Sequence, residues 1–484
     1  MPQDMPKTAP AYTPPQSSPE AAKALLPWLV AVAFFMESLD TTILNTAVPS
    51  ISRALEVSPL SMKSVLSSYT LSLAVFIPIS GWMADRFGTR RVFASAIGLF
   101  TLGSLLCGIT SNIHLLVACR ILQGLGGAMM VPVGRLTLVR TFDKSEFVRA
   151  MSFVAIPGLV GPMLGPVLGG LIVDYLNWRV AFFINIPIGI AGLILVYMHL
   201  PDYRETARPP LDIVGLILFG AGIALLSYVL EIFGEHLLSV GEMVGLVALS
   251  LALLAGYGVH ATRTKFPLLN LDLFRIRTFC TAVSGSFFTR LGIGGVPFLL
   301  PLLYQEGLGL KPVQSGLLIM PQALAALSTK TVLPKLLERL GYRNILIGNT
   351  VILGVLLMAF ATIGRQTPYW LIVVQALAYG VFTSTQYTSM NTLVYADVPR
   401  TQASGASSIA STCQQLSASF GVAAAGLTTV FFLPKTVDAQ GMIGGLHQAF
   451  LVLGVFTVVS TLLFVRLKPD DAGGETRQKD IHLD

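Results

Sequence analysis

The stretch GWMADRFGTRR, residues 81–91, returns as PKLLERLGYRN at residues 334–344, with an offset of 253 residues and no gap. The two copies place alike or identical residues opposite each other: Asp85 and Glu338, Arg86 and Arg339, Gly88 and Gly341, Arg90 and Arg343. Each copy is a short charged segment between long apolar runs. The repeat therefore predicts two related halves of one membrane protein, with equivalent loops on the same side of the membrane.

The composition is that of a polytopic membrane protein. The 484 residues are 53% hydrophobic and only 12% charged, with a mean hydropathy of +0.71. Charge-poor runs of about 20 residues, each long enough to cross a bilayer as a helix, recur along the chain. We predict an all-α integral membrane protein with fourteen spans, near residues 26–48, 64–84, 92–110, 114–136, 150–172, 179–200, 211–231, 238–261, 279–304, 314–333, 344–363, 368–391, 406–432 and 443–465.

Lysine and arginine mark one side of the membrane. Of the 32 basic residues, about 22 fall in tails and loops on one side, about 6 on the other and about 4 within spans, which predicts cytoplasmic termini by the positive-inside rule. We expect location in the plasma membrane, of the bacterial inner-membrane type. The predicted domains are a disordered cytoplasmic tail (1–24), a six-helix bundle (25–200), a two-span insertion (201–265), a pseudo-symmetric six-helix bundle (266–467) and a cytoplasmic tail (468–484).

The sequence lacks the motifs that are typical of several function classes. No GxxxxGK[ST] run for binding ATP is present, and the cysteines and histidines do not form a disulfide framework or a metal site within the spans. No soluble segment is long enough for separate catalysis or for binding nucleic acid. The sequence predicts neither an enzyme nor a cofactor. The four cysteines are Cys107, Cys119, Cys280 and Cys413.

Five motifs in order carry a family resemblance. The segments LDTTILNTAVPSI, GWMADRFGTRR, ACRILQGLGGAMMVPVGR, GLVGPMLGPVLGG and WRVAFFINIPIG together resemble the fourteen-span drug:proton antiporter branch of the major facilitator superfamily. The resemblance covers roughly residues 25–467. It implies two six-helix bundles with two extra central helices, and a proton-driven exporter whose cargo the motifs do not identify.

The repeated loop is the candidate cytoplasmic gating loop. Asp85 is placed to accept hydrogen bonds from a neighbouring helix N-terminus or to pair with a basic residue, and Gly81 permits close approach of another helix. By resemblance, the loop stabilises one state of the transporter; a loop that only sets topology is the alternative. The gating-loop residues are Gly81, Asp85, Arg86, Gly88, Arg90, Arg91, Glu338 and Arg339.

Span 1 carries two acids in an apolar run. Glu37 and Asp40 share a helical face with Thr41 and Asn45. Asp40 lies about 12 Å, and Arg120 of span 4 about 9 Å, from the outer end of its span, so we expect the two to meet. We predict that Asp40 is the main proton site, that Arg120 is its partner and that Glu37 contributes to proton coupling. A permanent structural ion pair is the alternative for Asp40 and Arg120, and for Glu37 contact with a cationic cargo or a simple hydrogen bond stays open.

Span 5 repeats glycine every four residues, with prolines between. The glycines form a groove for another helix and the prolines bend the span. By resemblance this is the antiporter motif, which shapes a helix interface and prevents leak, although a simple packing seam also explains the glycines. The motif residues are Gly161, Pro162, Gly165, Pro166, Gly169 and Gly170.

Arg290 lies near the middle of span 9 without an acid in its own span. Because an unpaired arginine at that depth is costly, it either pairs with Glu37 across the halves or meets an anionic group of the cargo. We expect the cargo cavity to include Arg290, Gln123, Gln375 and Asn45, although amides also join helices.

The sequence favours a proton-coupled secondary active exporter of small lipophilic or amphipathic compounds, working by rocking-bundle alternating access. One alternative is an exporter of small anionic metabolites, such as organic acids or their metal complexes. A second is a receptor or scaffold that keeps the fold without transport. The expected partners are a small-molecule substrate, protons and the lipid bilayer, without nucleic acid. A periplasmic adaptor leaves no mark in the sequence and stays open.

Overall fold

The computed structural model describes residues 19–142, 144–205, 210–232, 238–399, 402–434, 439–468 and 471. Within these ranges the chain is helical and contains no strand. The helices are α1 (Pro19–Ala54), α2 (Lys63–Phe76), α3 (Ser80–Phe87), α4 (Thr89–Ile109), α5 (Ile113–Thr141), α6 (Lys144–Tyr175), α7 (Val180–Phe183), α8 (Asn185–His199), α9 (Ile213–Ile232), α10 (Val240–Arg263), α11 (Arg277–Ile293), α12 (Val296–Leu302), α13 (Pro312–Ala359), α14 (Tyr369–Leu393), α15 (Ala403–Phe432) and α16 (Ala439–Phe464).

The helices confirm an all-α membrane protein. Among the described residues, eleven helical stretches are long and apolar enough to cross a bilayer, and a shorter apolar stretch, Val160–Tyr175, lies in α6. Every predicted span overlaps a helix, whereas the number fourteen stays a prediction. Because α1 begins at Pro19, the end of the predicted N-terminal tail is helical rather than disordered. Residues 1–18 and nearly all of 469–484 lie outside the described residues.

The internal repeat extends to the backbone conformation. Gly88 separates α3 from α4 with φ of 96°, and Gly341 bends α13 with φ of 72°. These two positions are related by the offset of 253 residues, and side chains with a Cβ rarely adopt such positive φ values. The repeated glycine therefore ends one helix and starts the next in both halves.

The insertion lies beside the bundles. Phe219 and Ile223 of α9 join a buried apolar cluster with Ala74 of α2 and Phe420 of α15, so α9 packs across the seam between the two halves. Helix α10 packs on α9, and residues along it such as Val244 are exposed. The two extra helices are central in the sequence but peripheral in the molecule, with α10 on the surface that a bilayer would cover.

The two halves are joined at one end. The Gln305 amide donates to the carbonyl of Thr46 over 2.9 Å, and the Val313 N–H donates to the Asp174 carboxylate over 2.9 Å. These contacts lie at the end of the bundle that the positive-inside pattern predicts to be outer. The predicted orientation therefore makes the closed end the outer one, and the inward-facing assignment stays a prediction with it.

Candidate functional site

Asp40 lies at the centre of a fully buried polar network. Arg120 Nη1 donates to Asp40 Oδ2 over 2.6 Å, and both residues are 1% exposed. The other carboxylate oxygen accepts from the amides of Gln123, at 2.8 Å, and Asn185, at 3.0 Å. Both amides also donate to Ser104. The structure thus joins the two charges that the sequence placed at similar depth, and the network ties α1 to α4, α5 and α8.

The guanidinium of Arg120 has further partners. It donates to the side-chain oxygen of Gln123 over 2.6 Å and to the carbonyl of Val65 over 3.4 Å, and it lies 4.2 Å from the centre of the Tyr69 ring. A buried ion pair needs such additional hydrogen bonds to offset desolvation. Gln123 was expected in the cargo cavity; this expectation is wrong, because its buried amide is taken up by Asp40 and Arg120.

Glu37 has a different environment from Asp40, one turn away on α1. Its side chain is half-buried, and Oε2 has no hydrogen-bond partner. The guanidinium of Arg135, on α5, lies within electrostatic range of Glu37 and also of Tyr395 in the second half. It stacks 4.8 Å from the ring centre of Phe34. We call the space between the halves beside Glu37, Arg135 and Tyr395 the central cleft.

Sequence reasoning missed Arg135 and Asn185. Arg135 follows Arg120 by fifteen residues, which is about four helical turns and places both on related faces of one helix. This spacing could have identified Arg135 as a candidate from the sequence. Asn185 is the polar residue in the apolar run FFINIPIG, and such a residue in a span marks an interhelical hydrogen bond.

Arg290 is bound within the second half. Its Nε donates to Ser286 over 3.0 Å and its Nη2 to Asn391 over 3.3 Å. The guanidinium lies 3.8 Å from the centre of the Tyr387 ring. Within the described part of the chain no ion pair joins Arg290 to Glu37 or to another carboxylate. The pairing across the halves that the sequence left open is thus absent from this conformation.

The remaining amides of the expected cargo cavity are partly accessible. Asn45 and Gln375 are both half-buried. The amide nitrogen of Gln375 is buried without a hydrogen-bond partner among the described residues. An unsatisfied donor of this kind is costly unless a water or a ligand meets it. Gln375 is therefore suited to a bound molecule more clearly than Asn45.

The gating loop forms its charge contact within the first half. Asp85 accepts from Arg140 Nη2 over 2.7 Å, and the same nitrogen donates to Glu205 over 3.0 Å. The expectation of a close helix approach at Gly81 is wrong for this conformation, because the space that a Cβ would occupy there is open. The acid and the arginine of the second copy, Glu338 and Arg339, are exposed.

Another carboxylate, that of Asp202, lies against Gly88 at the start of α4. It accepts from the backbone N–H of Arg90 over 3.2 Å at the start of α4. A Cβ on Gly88 would overlap the Asp202 carboxylate. Of the two contacts that the sequence left open for Asp85, the structure shows the pair with a basic residue, Arg140. The contact with a helix N-terminus, where negative charge is favourable, is made by Asp202. Arg86 and Arg91 are exposed.

The span 5 glycines pack against the helix that carries both acids. A Cβ on Gly161 would lie 2.6 Å from Ser38 Oγ and one on Gly169 would lie 2.5 Å from the carbonyl of Ile43. Thr42 overlaps the equivalent position of Gly165. The predicted groove thus exists, and its occupant is α1. Pro162 and Pro166 lie on the same helix, between these glycines.

The last glycine of the motif faces the second half. A Cβ on Gly170 would lie 2.6 Å from the carbonyl of Pro312, at the start of α13. Gly316 of α13 approaches the carbonyl of Pro166 so closely that no Cβ fits there. Helix α6 therefore contacts α1 along one face and α13 at its outer end, which connects the acids of α1 to the closed side of the molecule.

The family model of the Major Facilitator Superfamily matches residues 30–422. This chain belongs to the Major Facilitator Superfamily. It is 40% identical over 457 residues to a protein of Serratia proteamaculans named "Putative multidrug resistance protein MdtD", covering 94% of this chain and 95% of that protein. A protein of the same name from Pectobacterium atrosepticum is 40% identical over 450 residues, covering 92% of this chain and 95% of that protein. The resemblance to the multidrug efflux type is thereby confirmed.

Solved structures of other transporters share the fold. A bacterial homologue of the human lysosomal transporter Spinster, in an inward-facing and unoccupied conformation, aligns with a TM-score of 0.66 at 15% identity, covering 93% of this chain and 97% of that one. A D-xylose–proton symporter aligns with a TM-score of 0.65 at 14% identity, covering 92% of this chain and 98% of that one. At these identities the likeness shows the fold alone.

Membership of the major facilitator superfamily makes this chain an integral inner-membrane transporter rather than an enzyme. The site fits that class, because its charged groups lie deep in the bundle and are held by helices of one half or the other. Asp40 and Arg120 form a buried ion pair, whereas Glu37, Arg135 and Arg290 make no contact ion pair among the described residues. Charges inside a membrane bundle are costly and therefore mark coupling or cargo sites.

Proposed function

We propose that this transporter is a proton-coupled secondary active exporter, which moves small lipophilic or amphipathic compounds out of the cell by rocking-bundle alternating access. The observation that carries the proposal is the half-buried Glu37 carboxylate, whose Oε2 lacks a hydrogen-bond partner beside the closed Asp40–Arg120 pair. The names of the 40%-identical relatives support efflux of drugs. Each proton that enters supplies about 2.3 kcal/mol per 100 mV of membrane potential.

The geometry favours a division of work between the two acids. Asp40 accepts hydrogen bonds from Arg120, Gln123 and Asn185 and is fully buried, so protonating it would break an ion pair and strand a buried cation. Glu37 Oε2 is buried without a hydrogen-bond partner, and the residue as a whole is only half-buried. We therefore move the main proton site from Asp40, the sequence-based choice, to Glu37. In this proposal the Asp40–Arg120 pair positions α1.

Alternating access follows from the helix contacts. The proposal is that α6 transmits movement between α1, which carries the proton site, and α13, against which it closes the outer side. When the outer side opens, the inner side closes, and Asp85 exchanges its contact with Arg140 for one to the second half. The proposed domains are the bundles 25–200 and 266–467 and the insertion 201–265, with both termini in the cytoplasm.

Reconstituted vesicles provide the test. The purified protein is placed in liposomes with an imposed pH gradient and an internal pH dye, and lipophilic compounds of each charge class are added in turn. We expect compound-dependent proton release in the wild type and none in Glu37→Gln. Compound flux that is identical with and without the gradient would overturn proton coupling, and no flux for any compound would favour the receptor or scaffold alternative.

A second candidate, export of small anionic metabolites, is favoured by one observation. Arg290 has no carboxylate partner among the described residues, and Arg135 adds another cation near the cleft against the single acid Glu37. The same vesicles distinguish the two candidates. Proton movement driven by small carboxylates but not by lipophilic drugs would favour the metabolite exporter.

A further inference from the structure

Two opposite charges occupy equivalent positions in the two halves. The repeat offset of 253 residues relates residue 37 to residue 290, so Glu37 on α1 corresponds to Arg290 on α11. Both side chains are half-buried; Glu37 lies near the middle of α1 and Arg290 in the last turn of α11. Within a pseudo-symmetric transporter, equivalent positions lie on opposite walls of one central site. The site is therefore negative on one wall and positive on the other.

The negative wall is incompletely satisfied. Glu37 Oε2 makes no hydrogen bond, and Arg135 forms no contact ion pair with it among the described residues. Instead, the guanidinium of Arg135 stacks 4.8 Å from the centre of the Phe34 ring. A buried carboxylate oxygen without a hydrogen-bond partner is costly unless a proton or a cationic donor meets it.

The positive wall is a prepared anion site. Nε and Nη2 of Arg290 are held by Ser286 and Asn391, and Gln414 in turn donates to the side-chain oxygen of Asn391 over 2.9 Å. The Tyr387 ring lies 3.8 Å below the guanidinium. These contacts fix the orientation of the guanidinium without neutralising it. A fixed, uncompensated guanidinium is the group that best recognises a carboxylate.

We propose that the cargo is a zwitterionic aromatic compound, whose ammonium group binds Glu37 and whose carboxylate binds Arg290. The aromatic rings Phe34 and Tyr387 stand beside the two charges and suit a flat, apolar body between the charged ends. A purely cationic or purely anionic cargo would leave one wall unsatisfied in a site of low dielectric, where an unpaired charge is costly. This inference rests on the proposed export function and names its cargo class.

The same arrangement also explains how a proton is exchanged for the cargo. A proton and the cargo ammonium group require the same oxygen of Glu37, so binding of one displaces the other. The cargo carries no net charge, so each transport cycle moves only the charge of the proton. Arg290 holds the cargo carboxylate in either case and therefore sets affinity without entering the competition.

Three congeners of one fluorescent compound test the proposal with the purified full-length protein in detergent. Norfloxacin carries both charges near neutral pH, its methyl ester keeps only the ammonium group, and its N-acetyl derivative keeps only the carboxylate. Affinity is measured by fluorescence polarisation, and proton release by a pH dye in weak buffer. The variants are Arg290→Gln and Glu37→Gln, with Lys265→Gln and Glu242→Gln as matched controls at exposed positions.

We expect the wild type to bind norfloxacin about tenfold more tightly than either congener, the size of one charged contact, and to release protons on binding. Arg290→Gln should reduce norfloxacin affinity to that of the ester without changing the ester. Glu37→Gln should reduce it to that of the N-acetyl derivative and abolish proton release. Both controls should match the wild type.

Three results would overturn the proposal: equal or absent binding of all congeners, tightest binding of a singly charged one, or equal loss for all three in Arg290→Gln. Failure of the cargo class is distinguishable from failure of the export function. Gradient-driven export of a lipophilic drug with no preference for norfloxacin would refute only the cargo class. Preference for norfloxacin without gradient-driven flux would refute only proton-coupled export.

Discussion

At the scale of the residue, the two acids of α1 should respond differently to neutralisation. Asp40→Asn leaves Arg120 buried without its counter-charge, which costs about 3–5 kcal/mol for a buried pair, so we expect a large fall in Tm together with loss of transport. Glu37→Gln removes only a carboxylate that makes no contact ion pair among the described residues, so Tm should stay near the wild-type value while proton-coupled export is lost. Thermal unfolding in detergent and vesicle transport measure the two effects.

The control is the double variant Asp40→Leu with Arg120→Met, which removes both charges and should recover stability relative to Asp40→Asn. If Glu37→Gln exported its cargo normally under a gradient while Asp40→Asn stayed folded and failed, the proton site would return to Asp40.

The depth of Asp40 and of Arg120 in the membrane could be calculated from the sequence, because the rise per residue of a helix is fixed, and this was enough to pair them. The sequence did not show in the same way which face of each helix turns toward the interior. Gln123 was taken as cavity-lining, although it is buried in the ion-pair network, and Arg135 was passed over although it borders the cleft. Which polar side chain turns inward depends on how the helices pack, and no single helix carries that information.

At the scale of the element, the contact between α1 and α6 predicts a compensating pair of substitutions. Gly165→Ala places a methyl group onto Thr42 of α1, so the helices must separate, and we expect reduced transport and a lower Tm. Adding Thr42→Ala removes the overlapping hydroxyl and should restore part of both. Vesicle transport and thermal unfolding are measured for the two single variants and the double variant. The deviation from additivity gives the coupling between positions 42 and 165. Additive losses in the double variant would contradict a direct contact.

A second prediction at this scale concerns the start of the insertion. Burial raises the pKa of Asp212, but hydrogen bonds from the Gly215 and Leu268 N–H groups and from His260 outweigh this and hold the pKa below its usual range. A lowered pKa stabilises the fold above about pH 4, the ordinary value, and the contribution is lost as pH falls through the folded-state pKa. We therefore expect Asp212→Asn to lower Tm at neutral pH and the difference to shrink in acid. A Tm difference between the wild type and Asp212→Asn that is constant with pH would contradict a stabilising contact of the ionised Asp212 carboxylate.

Spacing along the chain predicted the groove of span 5, because glycines four residues apart lie on one helical face. It did not identify α1 as the helix in that groove, since nothing in the α6 sequence specifies a partner. The expectation at Gly81 failed for a related reason. The position beside Gly81 is open in this conformation, and the sequence of one loop does not specify the helix that packs against it.

At the scale of the whole molecule, the repeat predicted two halves, and the equivalent glycines Gly88 and Gly341 share a positive φ. The repeat contains no information on which end is closed. That property depends on contacts between the halves, such as those of Ser67 with Ser419, which join α2 to α15 over 3.2 Å. Two conformations of one sequence differ in these contacts, so a sequence specifies both and distinguishes neither.

The closed outer end gives the last prediction. Asp174 of α6 accepts from the Val313 N–H of α13 over 2.9 Å, and the two helices must separate there for cargo to leave. In a background without the four native cysteines, Asp174→Cys with Val313→Cys should react with a short bifunctional thiol reagent in the resting protein, and the bridge should stop export. Reduction of a cleavable reagent should restore it. Each single-cysteine variant, treated in the same way, should continue to export. Full export by the bridged protein would mean that this end does not open during transport, and the rocking-bundle mechanism would fail.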